Sequence, residues 1–291
     1  MKAWATLLTQ PNYLMGVRAL RASLARTGSD YPLVVMVTEA IDPESRRLLE
    51  GDGCLLREVE PISPTGGLND RYANARFAEV WTKLAVWRLT EFARVVFLDA
   101  DMLAVQNMDE LFTLELAEDH IAACHACRCN PNRIASYPPS WTPDNCFYTH
   151  GRGVEHTSSA EMMDDYLNAG LLVLQPDESV FADLMRKLSE VEDLSGYPFA
   201  EQDFLNEHFD RRWQPLPYVY NALKTLPFQH PALWDDAAVK NIHYIIDKPW
   251  QQPLDPEDRY YALNQLWWEV ASDVVDEPAD IGALGSVAAV A

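Results

Sequence analysis

The sequence predicts an α/β protein built on a doubly wound, mostly parallel sheet, and three observations carry that reading. Between residues 4 and 98, apolar runs of strand length alternate with segments whose apolar residues fall at helical spacing. The strand-like runs are apolar on both faces, as strands covered by helices on each side must be. Two carboxylates, Asp99 and Asp101, stand at the end of one such run, the edge where open α/β sheets bind ligands.

The elements follow in order. Residues 4–9 form the first strand, and residues 13–24 a helix with Leu14, Val17, Leu20 and Leu24 on one face. Residues 32–38 are a continuous apolar strand. Asp42 suits an N-cap and Pro43 a first turn, opening a helix that runs through Leu49. Residues 54–59 are the next strand, 81–92 a helix, and 94–98 the short buried strand that delivers Asp99. Residues 130–159 are rich in Pro, Asn, Gly, Tyr and Trp without a period and read as a long loop, of the kind often tied to function. Asn168-Ala169-Gly170 lead into a strand at 171–174. Helices follow at 178–192 and 200–209, a late strand or loop at 241–246, and a last helix at 260–275 carrying Trp267 and Trp268. The reading is one domain over 1–275, with a loop at about 130–160 and a frayed tail at 276–291.

Composition excludes several classes. The chain has 291 residues and a net charge of −21, which argues against a nucleic-acid backbone or an anionic membrane as partner. Its longest apolar stretches fall far short of the ~20 residues of a membrane span. The first nine residues read as a strand and not a signal peptide, so the expected location is the cytoplasm. No Gly-x-Gly-x-x-Gly or Walker sequence is present, which removes the common dinucleotide and P-loop sites. Five cysteines, an odd number, argue against a disulfide framework. Cys124, Cys127, Cys129 and Cys146 offer four ligands to a structural zinc, against the simpler reading of buried free thiols.

Residues i and i+2 of an extended chain point the same way, so Asp99 and Asp101 can face one hard cation, Mn²⁺ or Mg²⁺, which in turn holds a diphosphate. The plainer alternative is two solvated aspartates at a turn. Further motifs support the first reading. They are Thr6-Leu7-Leu8-Thr9 with Tyr13, Tyr31-Pro32-Leu33-Val34-Val35, Thr82-Lys83-Leu84, Phe97-Leu98-Asp99-Ala100-Asp101-Met102, Leu167-Asn168-Ala169-Gly170, Phe199-Ala200-Glu201-Gln202-Asp203-Phe204-Leu205-Asn206, Pro217-Tyr218-Val219-Tyr220-Asn221, and His243-Tyr244 with Lys248-Pro249-Trp250. In this order, between Thr6 and Trp250, they resemble the family-8 retaining glycosyltransferases, which include glycogenin and galactinol synthase.

The resemblance implies a GT-A-like fold for nucleotide-diphosphosugar transfer, a UDP-sugar donor, and Asp99, Asp101 and His243 as protein ligands of Mn²⁺ or Mg²⁺. It implies that Lys248 contacts the β-phosphate. Tyr13 would stack near the uracil, with Leu7 and Thr9 in the base pocket; core packing of Tyr13 is the alternative. Lys83 and Arg76 match cationic residues near the donor, although Arg76 lies closer to Lys83 than the glycogenin arginine does. Asn168, Ala169 and Gly170 would approach the sugar. Gln202 would hold sugar hydroxyls, and Glu201 or Asp203 would face the anomeric carbon. Glu201 stands where glycogenin has Asp, and the extra methylene argues against its direct attack.

The implied activity is hexose transfer with retention to a small polyol or saccharide, in the galactinol synthase manner from UDP-galactose to myo-inositol. Three alternatives stand beside it: a glycogenin-like self-glucosylating protein, using Tyr148 or Tyr166 as acceptor; a catalytically silent nucleotide-sugar binder; and a metal-binding interaction module built on the cysteine cluster. The oligomeric state is open, a homodimer included.

Overall fold

The computed structural model describes residues 1–64, 79–150 and 165–274. Arg76, the end of the 130–160 loop and the tail at 276–291 lie outside the described residues.

Seven strands form the main sheet in the order β3-β2-β1-β4-β7-β6-β8. They are β1 (Lys2–Leu8), β2 (Leu33–Val37), β3 (Leu55–Glu58), β4 (Arg94–Leu98), β6 (Ile121–His125), β7 (Leu167–Leu174) and β8 (Trp213–Leu216). Strands β3, β2, β1 and β4 are mutually parallel, and β6 is parallel to β8. β7 runs antiparallel to both of its neighbours. A second sheet is made of β5 (Met102–Ala104), β10 (Asn241–His243) and β9 (Ala222–Leu223), with β10 in the middle.

Side chains alternate across the main sheet with the strand period of two. Ala3, Ala5, Val34, Met36, Val95 and Phe97 face one core, shared with α3 (Glu178–Ser189) and α4 (Glu201–His208). Trp4, Val35, Val37, Val96 and Leu98 face the other, shared with α1 (Leu14–Arg26) and α2 (Pro43–Gly51). Burial on both faces is why these strands read as unbroken apolar runs. The Asp42 side chain accepts from the N–H groups of Glu44 and Ser45, making the predicted cap of α2. A third core gathers the small sheet, α5 (Leu226–Gln229), Trp250 and α6 (Tyr261–Ala271).

Two expectations are corrected. The segment predicted as a helix over 81–92 is a 3₁₀ helix at Val80–Arg88. Seven of its nine residues are buried, so burial on nearly every side imposes no 3.6-residue stripe. Asn168-Ala169-Gly170 do not form a lead-in turn but belong to β7 itself.

The reversal of β7 positions the site. The carboxyl ends of β1 and β4 share one sheet edge, and an antiparallel β7 brings its first residues to that same edge. The Asp99 N–H donates to the Gly170 carbonyl (2.8 Å), so the chain after β4 stays zipped to the start of β7.

Candidate active site

After Leu98 the chain turns through Asp99-Ala100-Asp101 and enters β5, which pairs His243 opposite Met102. The Tyr244 N–H donates to the Asp101 carbonyl (2.9 Å). The small sheet thus carries His243 to the carboxylates from a point far along the sequence. The donor atoms of Asp99, Asp101 and His243 all lie within 4.8 Å of one another. His243 Nε2 is 3.2 Å from Asp101 Oδ1 and 3.9 Å from Asp99 Oδ2.

The imidazole is held from behind. Asn221 Nδ2 donates to Asn168 Oδ1 (2.8 Å), which also accepts from the Gly170 N–H (3.0 Å). That turns Asn221 Oδ1 toward the ring, 2.8 Å from His243 Nδ1, which therefore carries the proton. Nε2 is left facing two carboxylate oxygens. Two carboxylates and one imidazole turned toward one point suit Mn²⁺ or Mg²⁺. A Cβ on Gly170 would stand 2.6 Å from His243 Cε1, so glycine here makes room for the ring. Gly16 does the same on α1, where a Cβ would meet the Ala100 carbonyl at 2.5 Å.

Two buried lysines brace the carboxylates. Lys83 Nζ lies 2.9 Å from Asp99 Oδ1 and 2.8 Å from Glu201 Oε1, and donates to the Ala169 carbonyl. Lys248 Nζ pairs with Asp101 Oδ2 and donates to the Tyr244 carbonyl (3.1 Å). Burial alone would push the Asp101 carboxyl up, but Lys248 and His243 outweigh it and hold Asp101 well below the usual carboxylate range. Burial pushes Glu201 up against the opposing pull of Lys83. Burial would lower Lys83, yet Asp99 and Glu201 raise it overall.

A cavity of about 280 Å³ opens over this floor. Leu7, Thr9, Tyr13, Lys83, Asp99, Ala100, Asp101, Glu201, Gln202 and Lys248 line it. Tyr13 is half-buried and packs edge-on against Trp250. A second cavity of about 490 Å³ adjoins it, with Asn168, Phe199 and Gln202 on its walls along with Tyr137, Trp141 and Tyr197. Gln202 and Phe199 line both. The Ala169 N–H donates to Gln202 Oε1 (3.1 Å), and Gln202 Nε2 donates to the Tyr166 hydroxyl (3.1 Å), which fixes the amide between the two spaces.

The backbone is strained at both shoulders of the site. Ala200, directly before Glu201, has φ 50°, and Ile246, two residues before Lys248, has φ 67°. A β-branched residue in that region is rare.

Other expected residues have these partners. Asp203 lines neither cavity; Oδ1 accepts from the Tyr166 hydroxyl and Oδ2 from the Phe199 N–H, so it fixes the α4 entrance. Asn168 and Gly170 serve the His243 side, and Ala169 contributes its backbone to Lys83 and Gln202. Tyr148 is buried with its hydroxyl on the His125 carbonyl (2.7 Å), which removes it as an acceptor tyrosine. Asn221 was not singled out by sequence, although it closes the motif at 217–221; an asparagine in a loop carries no mark of the imidazole it will orient.

Residues 5–253 match the family described as Glycosyl transferase family 8. The chain belongs to glycosyl transferase family 8. Among its relatives, galactinol synthase 7 of Arabidopsis thaliana is 32% identical over 94% of this chain and 82% of that protein. Galactinol synthase 1 of Solanum lycopersicum is 31% identical over 93% of this chain and 82% of that protein. The fold resembles the galactosyltransferase LgtC solved with donor and acceptor sugar analogues, with a TM-score of 0.63 and 16% identity over 97% of this chain and 99% of LgtC. It also resembles the glycosyltransferase GlyE of Streptococcus pneumoniae, with a TM-score of 0.62 and 20% identity over 97% of this chain. The match spans 63% of GlyE. The family-8 chain is thus a glycosyltransferase of the GT-A type. No helix among its described residues is long and apolar enough to cross a membrane.

Proposed function

We propose that this enzyme transfers a hexosyl group from a UDP-sugar to a hydroxyl acceptor with retention of anomeric configuration, and that the pair is UDP-galactose and myo-inositol. The observation that carries the reading is the meeting of Asp99, Asp101 and His243 beside Lys248, at the floor of a cavity that opens on a second one. The galactinol synthases among its relatives, matched over most of their length, favour that donor and acceptor.

In this reading the 280 Å³ cavity takes the donor, with Leu7, Thr9 and Tyr13 around the base. Asp99, Asp101 and His243 would hold Mn²⁺ or Mg²⁺, which supplies Lewis-acid charge to the diphosphate when bound. Lys248 offsets charge on the departing UDP, aimed by its contacts with Asp101 and the Tyr244 carbonyl. Lys83 keeps Asp99 and Glu201 together and so sets the floor beneath the sugar. Gln202 holds sugar hydroxyls at the passage to the acceptor cavity. The bond from the anomeric carbon to the diphosphate breaks, one from that carbon to the acceptor oxygen forms, and the acceptor's proton leaves with the UDP. Glu201 is tied to Lys83, which favours transfer from the front face over double displacement. No disulfide joins any of the five cysteines, consistent with work in the cytoplasm.

The test measures UDP released from UDP-galactose, UDP-glucose or UDP-N-acetylglucosamine with Mn²⁺, with and without myo-inositol. Inositol-dependent release from UDP-galactose is expected. Release at the same rate without inositol, or from another donor alone, would overturn the pairing.

A further inference from the structure

A second cluster of ligating atoms lies away from the donor floor. The loop after β6 carries Cys127 and Cys129, the 3₁₀ turns beyond it bring Cys146, and His230 stands at the end of α5. All four side chains offer one ligand atom each within 4.8 Å of the others. We propose that Cys127, Cys129, Cys146 and His230 bind one zinc ion as a closed structural site.

The distances among the four ligand atoms fit the edges of a tetrahedral site. With Zn–S near 2.3 Å and Zn–N near 2.0 Å, the edges of such a site are about 3.8 Å between sulfurs and about 3.5 Å from sulfur to nitrogen. Cys127 Sγ and Cys146 Sγ are 3.8 Å apart. His230 Nε2 lies 3.4 Å from Cys127 Sγ, 3.3 Å from Cys129 Sγ and 3.7 Å from Cys146 Sγ. The sulfurs are too far apart for a disulfide, and all of these thiols are free. Cys127 and Cys129 are two residues apart, which on an extended chain turns both side chains the same way. The Arg128 N–H between them is hydrogen-bonded to the Cys146 sulfur, and Thr149 Oγ1 lies 3.8 Å from Cys129 Sγ, contacts of the kind that steady metal-bound thiolates.

Three thiolates and an imidazole select zinc over Mn²⁺ or Mg²⁺, and four protein ligands leave no open position for catalysis. The set differs from the one the sequence suggests. Cys124 lies on β6 and donates its thiol to the Pro217 carbonyl (3.2 Å), and His230, about a hundred residues on, takes the fourth place. The consequence reaches the second cavity, whose wall includes Cys127 and Asn130. Zinc pins that wall to the 226–230 segment and holds the acceptor side in shape.

The test is metal analysis of the full chain, expressed in zinc-containing medium and purified without added zinc. About one zinc per chain is expected, kept in Cys124→Ser and Asp101→Asn and lost in Cys146→Ser and His230→Ala. Should either of the last two fail to fold, the wild-type chain loaded with Co²⁺ gives the answer through thiolate-to-cobalt charge-transfer bands. A folded, zinc-free wild-type chain whose thiols react freely, or a Co²⁺ form without those bands, would overturn the proposal.

Discussion

The two cavities that meet at Gln202 are built in opposite ways. The proposed donor floor rests on the ends of β1 and β4 and the start of β7, and its charged groups are locked to one another: Lys83 to Asp99 and Glu201, Lys248 to Asp101, and His243 to Asn221. The proposed acceptor side is walled by loop residues such as Asn130, Ile134 and Trp141, with aromatic rings in place of ion pairs. Trp141 stacks on Phe199 at 4.3 Å, and Tyr137 meets both rings edge-on. Diphosphate chemistry is common to many donors, so its site can be rigid and borne by the sheet. A loop can change its acceptor without disturbing that frame, at the cost of needing its own anchor.

The contrast can be broken at each side and at the helix they share. The largest effect is expected on the donor side. Asn221→Ala removes the partner that turns His243, and activity should fall about 10- to 100-fold with Mn²⁺ affinity falling alongside. Activity titrated against Mn²⁺ reads this; an unchanged metal dependence would show that His243 needs no such support. On the acceptor side, Trp141→Ala should raise the acceptor KM by about tenfold, the worth of one aromatic contact, and leave the donor KM unchanged. A shift in the donor KM instead would merge the two regions into one.

A third effect, on stability and not on turnover, concerns α4, which carries both Glu201 and Gln202. At its far end, burial and the nearby charges of Lys187 and Arg212 push His208 down to about 4. The folded chain therefore keeps this imidazole neutral, while the unfolded chain protonates it near its ordinary value of about 6.5. Its contribution is present above that value and is lost as pH falls toward about 4, on the order of 2 kcal/mol. Denaturant unfolding across that range should show the loss, and His208→Gln should flatten it. An equal slope in the variant would place the acid sensitivity elsewhere.

The same division governs what the sequence reveals. Strands β1, β2 and β4 are buried on both faces and so announce themselves as apolar runs, and the Asp99-x-Asp101 pair follows one of them. Local pattern does not encode the direction of a strand, so the reversal of β7 is invisible although it delivers Asn168 and Gly170 to the site. The 3₁₀ form of Val80–Arg88 is equally hidden, because burial around the whole segment erases its period. The cysteines at 127, 129 and 146 can be seen as a group, while His230 joins them only through tertiary packing. Asn221 is silent for the same reason: its role is to hold His243, and that contact exists only once β9 and β10 are paired.

The central claim is that Asp99, Asp101 and His243 make a metal-dependent diphosphate site. Calorimetric titration of UDP into the full chain, with Mn²⁺ present or with chelator, tests it most directly when run beside Asp101→Asn. The account predicts UDP binding by the wild-type chain only with Mn²⁺, and none by the folded variant in either condition. Equal binding in chelator, or undiminished binding by Asp101→Asn, would contradict it.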